Sequence, residues 1–113
     1  MKPEEKAALE RLLAIAVQGT GQSRRVADFL LAWWNAGECG GFDLTTMWGC
    51  DRAIVKDMAV VFAYVGHNPH YPDTLGYGPR FEQIVREWRP ELIQQIESRS
   101  HDVSLKGNLD DQH

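Results

Sequence analysis

The sequence predicts an all-α fold, a small irregular bundle of four to five helices with two ordered loops. Apolar residues recur every three or four positions in several segments, which is the spacing of one helix face. Glycine and proline separate these segments, and both residues end helices or shape turns. With 113 residues, 43% of them apolar and 25% charged, the chain suits one small globular domain.

The first two predicted helices are neighbours along the chain. One covers residues 3–18, and the other runs from Ser23, its predicted N-cap, to about Ala36. Gly37 is placed to end the second helix in a left-handed conformation. Because the break between the helices is short, we expect an antiparallel pair. Their apolar positions are Leu9, Leu12, Leu13, Ala16, Val26, Phe29, Leu30, Trp33 and Trp34.

A third helix is predicted over residues 52–65, with Asp51 as its N-cap and Gly66 at its end. β-Branched and aromatic residues near its end allow a strand, but the periodicity that begins at Ile54 favours a helix. We expect Phe62 to extend the apolar face. The same pattern places Arg52, Lys56 and Asp57 elsewhere on the helix.

The fourth helix is predicted to open at Pro79, and Arg89 with Pro90 should end or kink it, because proline removes a backbone donor. Helical spacing resumes beyond this break. We therefore predict a single domain over residues 1–98, and a polar, flexible tail over residues 99–113.

Two segments rich in glycine, proline and aromatic residues flank the third helix, at residues 33–44 and 67–78. Such residues fix backbone shape and supply large side chains with polar tips, so we expect ordered loops. Asp43 or Thr45 is predicted to cap a short helical turn before Asp51. Three of the four tryptophans, Trp48 and Trp88 among them, are predicted to lie in the core.

Composition narrows the class of protein. The formal charge is −4, from 12 basic and 16 acidic side chains, so nucleic acid is an unexpected partner. Arg24 and Arg25, beside Asp28, have the pattern of a solvated face, and a phosphate-binding role for them is not favoured. No apolar run approaches the length of a membrane span, and no export signal is evident. We expect a cytoplasmic protein with reduced cysteines and no membrane partner.

A metal site is the sharpest chemical alternative. Cys39, Cys50, His67 and His70 could supply two thiolates and two imidazoles, although structural zinc sites usually draw ligands in closer pairs. The chain contains the residue types for a cysteine nucleophile with a histidine base, but no catalytic motif accompanies them. We therefore expect no cofactor and no catalytic residue, and the metal site remains an alternative.

The sequence also resembles an uncharacterised family of small bacterial proteins. Residues 29–36, 39–44, 71–77 and 81–90 carry the resemblance, which extends over residues 26–92. Members of that family are often encoded on plasmids and integrative elements of proteobacteria. Mobile-element cargo of this size includes small acidic inhibitors of host defence, among them anti-CRISPR proteins. The resemblance therefore implies a genomic context rather than a reaction.

The resulting hypothesis is a small acidic, non-enzymatic binding protein that docks on a larger protein or complex. An inhibitor of host defence, similar to anti-CRISPR proteins, is one form of it. A metal-binding protein and a DNA-binding regulator, since a helix pair with a short turn can form a helix-turn-helix unit, are the alternatives. The predicted partner contacts are Trp34, His70, Tyr71, Asp73 and Tyr77.

Overall fold

The computed structural model describes residues 1–94, and within them the chain forms helices joined by short loops, with no strand. This confirms the predicted all-α class. The α-helices are α1 (Pro3–Ala16), α2 (Gly21–Cys39), α3 (Arg52–His67) and α4 (Gly78–Trp88). Two 3-10 helices, Leu44–Gly49 and Pro72–Leu75, lie before and after α3.

The core lies around α1, which packs against both α2 and α3, while α4 packs mainly on α2 and the second 3-10 helix. The predicted apolar face of α1 is fully buried. Each large apolar side chain removed from water in this way contributes roughly 1.5–3 kcal/mol. The largest side chains of the core are Leu9, Leu12, Leu13, Leu30, Leu31, Met58, Phe81 and Ile84.

The ends of α2 differ from the prediction. Thr20, not Ser23, is the N-cap, because the Thr20 backbone is extended and its Oγ1 accepts the Ser23 N–H at 3.0 Å. Gly37 does not end the helix either. The helix is kinked at Asn35, whose φ and ψ are not helical, and then continues to Cys39. Gly40 is its C-cap, with a φ of 98° that favours glycine.

α3 is a helix, as predicted, but two of its acidic residues have other roles. Asp51 occupies the N-cap position without a side-chain cap; its backbone N–H donates to Gln22 Oε1 at 2.8 Å. Asp57 is buried on the side that faces α1, where Arg11 donates two hydrogen bonds to it at 2.8 and 2.9 Å. The prediction that placed Asp57 away from the core was wrong, because a bidentate arginine allows a carboxylate to be buried.

α4 ends at the predicted break. Arg89 has non-helical φ and ψ angles of −139° and 54°, and residues 90–94 form a further helical turn. The Arg89 side chain ties this break to α2, donating to Asp28 Oδ1 at 2.7 Å and to the Cys39 carbonyl at 3.2 Å. The predicted tail at 99–113, and the end of the predicted domain at residue 98, lie outside the described residues. Between residues 1 and 94, no helix has the length and apolar character needed to cross a membrane.

Candidate functional site

The second loop, residues 67–78, in which most of the partner contacts were predicted, is fastened to α2 by two tryptophans. Trp33 donates its indole N–H to the His70 carbonyl at 3.1 Å, and Trp34 donates to Asp73 Oδ1 at 2.7 Å. Both rings also lie against Phe81 of α4, with centroids 5.8 and 6.4 Å away. The loop is therefore ordered, and part of the predicted contact set serves to hold it in place.

Tyr77 and Tyr71 have opposite surroundings. Tyr77 is only 8% exposed, and its hydroxyl donates to Glu10 Oε1 at 3.1 Å. Arg80 also donates to Glu10, at 2.9 Å, and lowers the pKa of that carboxyl, while burial and the Glu10 hydrogen bond raise the pKa of Tyr77. Tyr71, in contrast, is 63% exposed. Of these two tyrosines, Tyr71 is exposed to solvent and Tyr77 anchors the loop.

The two cysteines and two histidines of the metal alternative are dispersed. Cys39 ends α2, Cys50 follows the first 3-10 helix, His67 ends α3 and His70 lies in the second loop. Within residues 1–94, no group of three or more His, Cys, Asp or Glu side chains could hold a metal ion. Burial raises the pKa of both thiols, which favours the neutral thiol form of each cysteine.

Trp48 is 86% exposed, so its predicted place in the core was wrong. It belongs to the 3-10 helix Leu44–Gly49, in which no residue is buried. Residues three apart share a direction in a 3-10 helix, so Met47 aligns with Leu44 while Trp48 aligns with Thr45. Met47 packs against the core, and Trp48 is turned away from it.

An apolar groove lies on the Leu44 side of this 3-10 helix. Its volume is about 220 Å³. Leu44 and Phe62 are 60% and 64% exposed beside it, so the prediction that Phe62 extends the buried face of α3 was wrong. Phe62 follows the buried Val61 and therefore points about 100° away around the helix. The groove is lined by Phe29, Ala32, Trp33, Phe42, Leu44, Val61, Phe62 and Val65.

A second, polar groove lies on the Trp48 side. It is lined by Gly21, Arg24, Arg25, Asp28, Thr45, Thr46, Trp48 and Gly49. The first 3-10 helix therefore separates an apolar groove from a basic one, and it presents exposed side chains to both.

A family model covers residues 6–89, from the first turn of α1 to the break after α4. The match includes all four α-helices and the lining of both grooves. The chain belongs to DUF7673, a family of unknown function. No curated protein and no solved structure matches the chain.

The DUF7673 match agrees with the resemblance to an uncharacterised family, and it also includes α1, which that resemblance left out. α1 supplies the buried centre on which α2 and α3 pack. The matched region therefore contains most of the packed core and the lining of both grooves, and Leu92 and Ile93, which also pack against the core, lie beyond it.

Proposed function

We propose that this DUF7673 protein is a non-enzymatic binding protein that docks on a larger protein through the apolar groove between α2 and α3. The supporting observation is the exposure of Leu44 and Phe62 on either side of that groove. Large apolar side chains that border an apolar depression are typical of protein interaction sites. Most buried apolar side chains of this chain lie in one core, whereas these two lie outside it.

The proposed occupant is one large aliphatic or aromatic side chain of the partner protein. The groove volume of about 220 Å³ lies below the roughly 300–1,000 Å³ of sites for small molecules and cofactors. A pocket that receives a single anchoring side chain at the centre of a larger contact is the usual form of a protein–protein hot spot. Size and apolar lining therefore favour a protein anchor over a free metabolite.

The second loop provides the neighbouring contact. Its His70 carbonyl accepts the Trp33 indole N–H, and Trp33 lines the apolar groove. The exposed Tyr71 follows directly along the chain. We include Tyr71, His70 and the exposed edge of Asp73 in the docking surface, and we assign Tyr77 and the Trp34–Asp73 hydrogen bond to the support of the loop.

The proposal also includes a cellular location and a biological role. A cytoplasmic location suits two free cysteines. Encoding on a mobile element and inhibition of host defence, in the manner of anti-CRISPR proteins, remain predictions that the identity of the partner would test. The dispersed cysteines and histidines give no support to the metal alternative, and the net charge of −4 gives none to a DNA-binding regulator.

The test compares partner capture by three proteins: wild type, the double variant Leu44→Ala with Phe62→Ala, and Lys56→Ala. Lys56 is exposed on the same helix, but it lines the side of α3 that faces Arg11. Quantitative mass spectrometry of proteins captured from lysate should show one partner that wild type and the Lys56 variant retain and the double variant loses.

The captured partner is then purified and titrated. Loss of the Leu44 and Phe62 side chains, which border the groove, should weaken its binding by at least about tenfold. Equal affinity of the double variant and wild type, with unchanged thermal stability, would contradict the proposed function.

A further inference from the structure

The basic groove contains two arginines without an ion-pair partner among residues 1–94. Arg24 is exposed and Arg25 is half-buried, and neither forms a salt bridge there. Arginine on a helix surface usually finds a carboxylate when one is near. Here the Asp28 carboxylate, which also lines the groove, is held by Arg89 at 2.7 Å. Two positive charges therefore face the groove.

Two carboxylates that are close in sequence to groove residues, Asp43 and Asp51, also accept hydrogen bonds. Asp43 accepts the backbone N–H and the hydroxyl of Thr45, at 2.9 and 2.8 Å, and these bonds lower the pKa of its carboxyl. Asp51 accepts from Gln22 Nε2 at 3.3 Å. Asp28, Asp43 and Asp51 each already accept a hydrogen bond from a residue other than Arg24 or Arg25. The two arginines therefore remain able to donate to an anion that enters the groove.

Gly49 leaves room for the Arg25 guanidinium. A Cβ atom at Gly49 would lie 2.5 Å from both Cζ and Nε of Arg25. The guanidinium thus rests directly against the backbone of the first 3-10 helix, in space that only glycine leaves open. Arg25 therefore lies beside Gly49 in the groove lining, next to a residue that carries no charge.

Trp48 supplies a planar surface beside these charges. Thr45 and Trp48 share one direction of the 3-10 helix, and Thr46 shares the next with Gly49, so two hydroxyls and an indole line the same groove. The groove has a volume of about 760 Å³, within the roughly 300–1,000 Å³ of small-ligand sites.

We infer that the basic groove binds a nucleotide, with the phosphate on Arg24 and Arg25 and the base stacked on Trp48. Guanidinium groups match phosphate oxygens in a bidentate fork. An exposed indole stacks on any base. The nucleotide could be free or one unit of a single strand. The charge of −4 on the whole chain repels a long polyanion, which favours the free nucleotide.

Calorimetric titration tests the inference with thymidine 5′-monophosphate, thymidine, inorganic phosphate and a short oligothymidylate. The monophosphate should bind at least about tenfold more tightly than thymidine or phosphate alone, because it makes both sets of contacts. Equal affinity for the monophosphate and the oligothymidylate identifies a free nucleotide, and tighter binding of the oligothymidylate identifies a single strand. Both results support the shared chemistry.

Matched variants separate the contributions. Arg24→Gln with Arg25→Gln should weaken binding of the monophosphate by about tenfold or more, and the exposed Arg52→Gln should not. Gly49→Ala should weaken it too, because the methyl group displaces the Arg25 guanidinium. Trp48→Ala should lose base binding, whereas Phe62→Ala, which removes another exposed aromatic side chain, should retain it.

Three results would overturn the inference: no binding of the monophosphate at millimolar concentration, unchanged binding in the double arginine variant, or tighter binding of a polyglutamate peptide than of the monophosphate. The last would assign the groove to an acidic protein segment. The inference stands apart from the proposed docking function, because Leu44→Ala with Phe62→Ala removes the apolar groove and leaves the arginines and Trp48 in place.

Discussion

The two segments that directly adjoin α3, residues 40–51 (the first segment) and 67–78 (the second segment), have similar compositions but different surroundings. Both are rich in glycine and aromatic residues. The second segment is fastened by indole hydrogen bonds from α2, by the buried Pro72 and by the Tyr77–Glu10 hydrogen bond. The first segment packs Phe42 on Phe29, with ring centroids 5.3 Å apart, and then exposes Leu44 and Trp48. Similar composition therefore gives a supported loop in one place and an exposed surface in the other.

The difference arises from what lies opposite each segment. α4 and the end of α2 both contact the second segment, and Phe81 of α4 packs between Trp33 and Trp34. The first segment contacts α2, and its 3-10 helix has no buried residue. Aromatic side chains without an opposing helix remain available to partners.

The largest expected effect is at the support of the second segment. Phe81→Ala removes a fully buried ring on which both Trp33 and Trp34 lie. We expect the free energy of unfolding to fall by about 3–5 kcal/mol, from lost burial and the cavity that remains. Chemical denaturation measures it. A loss of less than about 1 kcal/mol would show that the second segment does not depend on this ring.

A smaller effect is expected from one indole hydrogen bond. Trp34→Phe keeps a ring against Phe81 but removes the donor to Asp73, so the free energy of unfolding should fall by about 1–2 kcal/mol. Asp73→Ala should then lower the free energy of unfolding by less in the Trp34→Phe background than in wild type. Additive effects of the two substitutions, measured by denaturation, would show that the hydrogen bond contributes nothing to stability.

The Tyr77–Glu10–Arg80 cluster gives a modest dependence on pH. Hydrogen bonds from Arg80 and Tyr77 lower the folded-state pKa of Glu10 below its ordinary value of 4.5. As pH falls, Glu10 is therefore protonated in the unfolded chain before it is protonated in the folded protein. Its contribution to the free energy of unfolding is present above pH 4.5 and is lost as pH falls through the lower, folded-state pKa. Solvent exposure of both partners limits its size.

Lowering the pH from 6 to 3 should therefore reduce the melting temperature of wild type more than that of Glu10→Gln. Thermal unfolding at several pH values measures this difference. Parallel losses in the two proteins would exclude a contribution from Glu10. Glu4→Gln, an exposed carboxylate in the first turn of the same helix, is the matched control and should follow wild type.

The smallest effect on stability is expected at the exposed segment. Trp48→Ala should change the free energy of unfolding by no more than about 0.5 kcal/mol, although it removes the largest kind of side chain, because Trp48 is 86% exposed. Trp34→Ala provides the comparison and should cost several times more. A loss above about 2 kcal/mol in the Trp48 variant would show that this side chain packs in solution.

Sequence periodicity identified the helices because each buries a stripe that repeats at helical spacing. It correctly predicted the buried face of α1, the helical state of α3 and the break at Arg89. It predicted Ser23 as the cap of α2, whereas Thr20 is the cap, and both residues carry a hydroxyl that can accept a backbone N–H.

The surface was less predictable, because exposure depends on which elements lie opposite a side chain. Asp57 differs from an ordinary surface acid only through Arg11, which is distant in sequence. Phe62 and Trp48 are typical core residues by composition, and only the packing of α3 on α1 leaves Phe62 uncovered. Tyr71 and Tyr77, predicted together as contacts, differ because Glu10 lies beside only one of them.

Hydrogen exchange on the complex with the captured partner tests the central claim most directly. If the first segment and the apolar groove form the docking surface, the largest gain in protection should fall on residues 42–49 and 61–65, with a smaller gain near Tyr71. Protection concentrated on residues 72–78, with none at 42–49, would contradict the account and place the docking surface on the second segment.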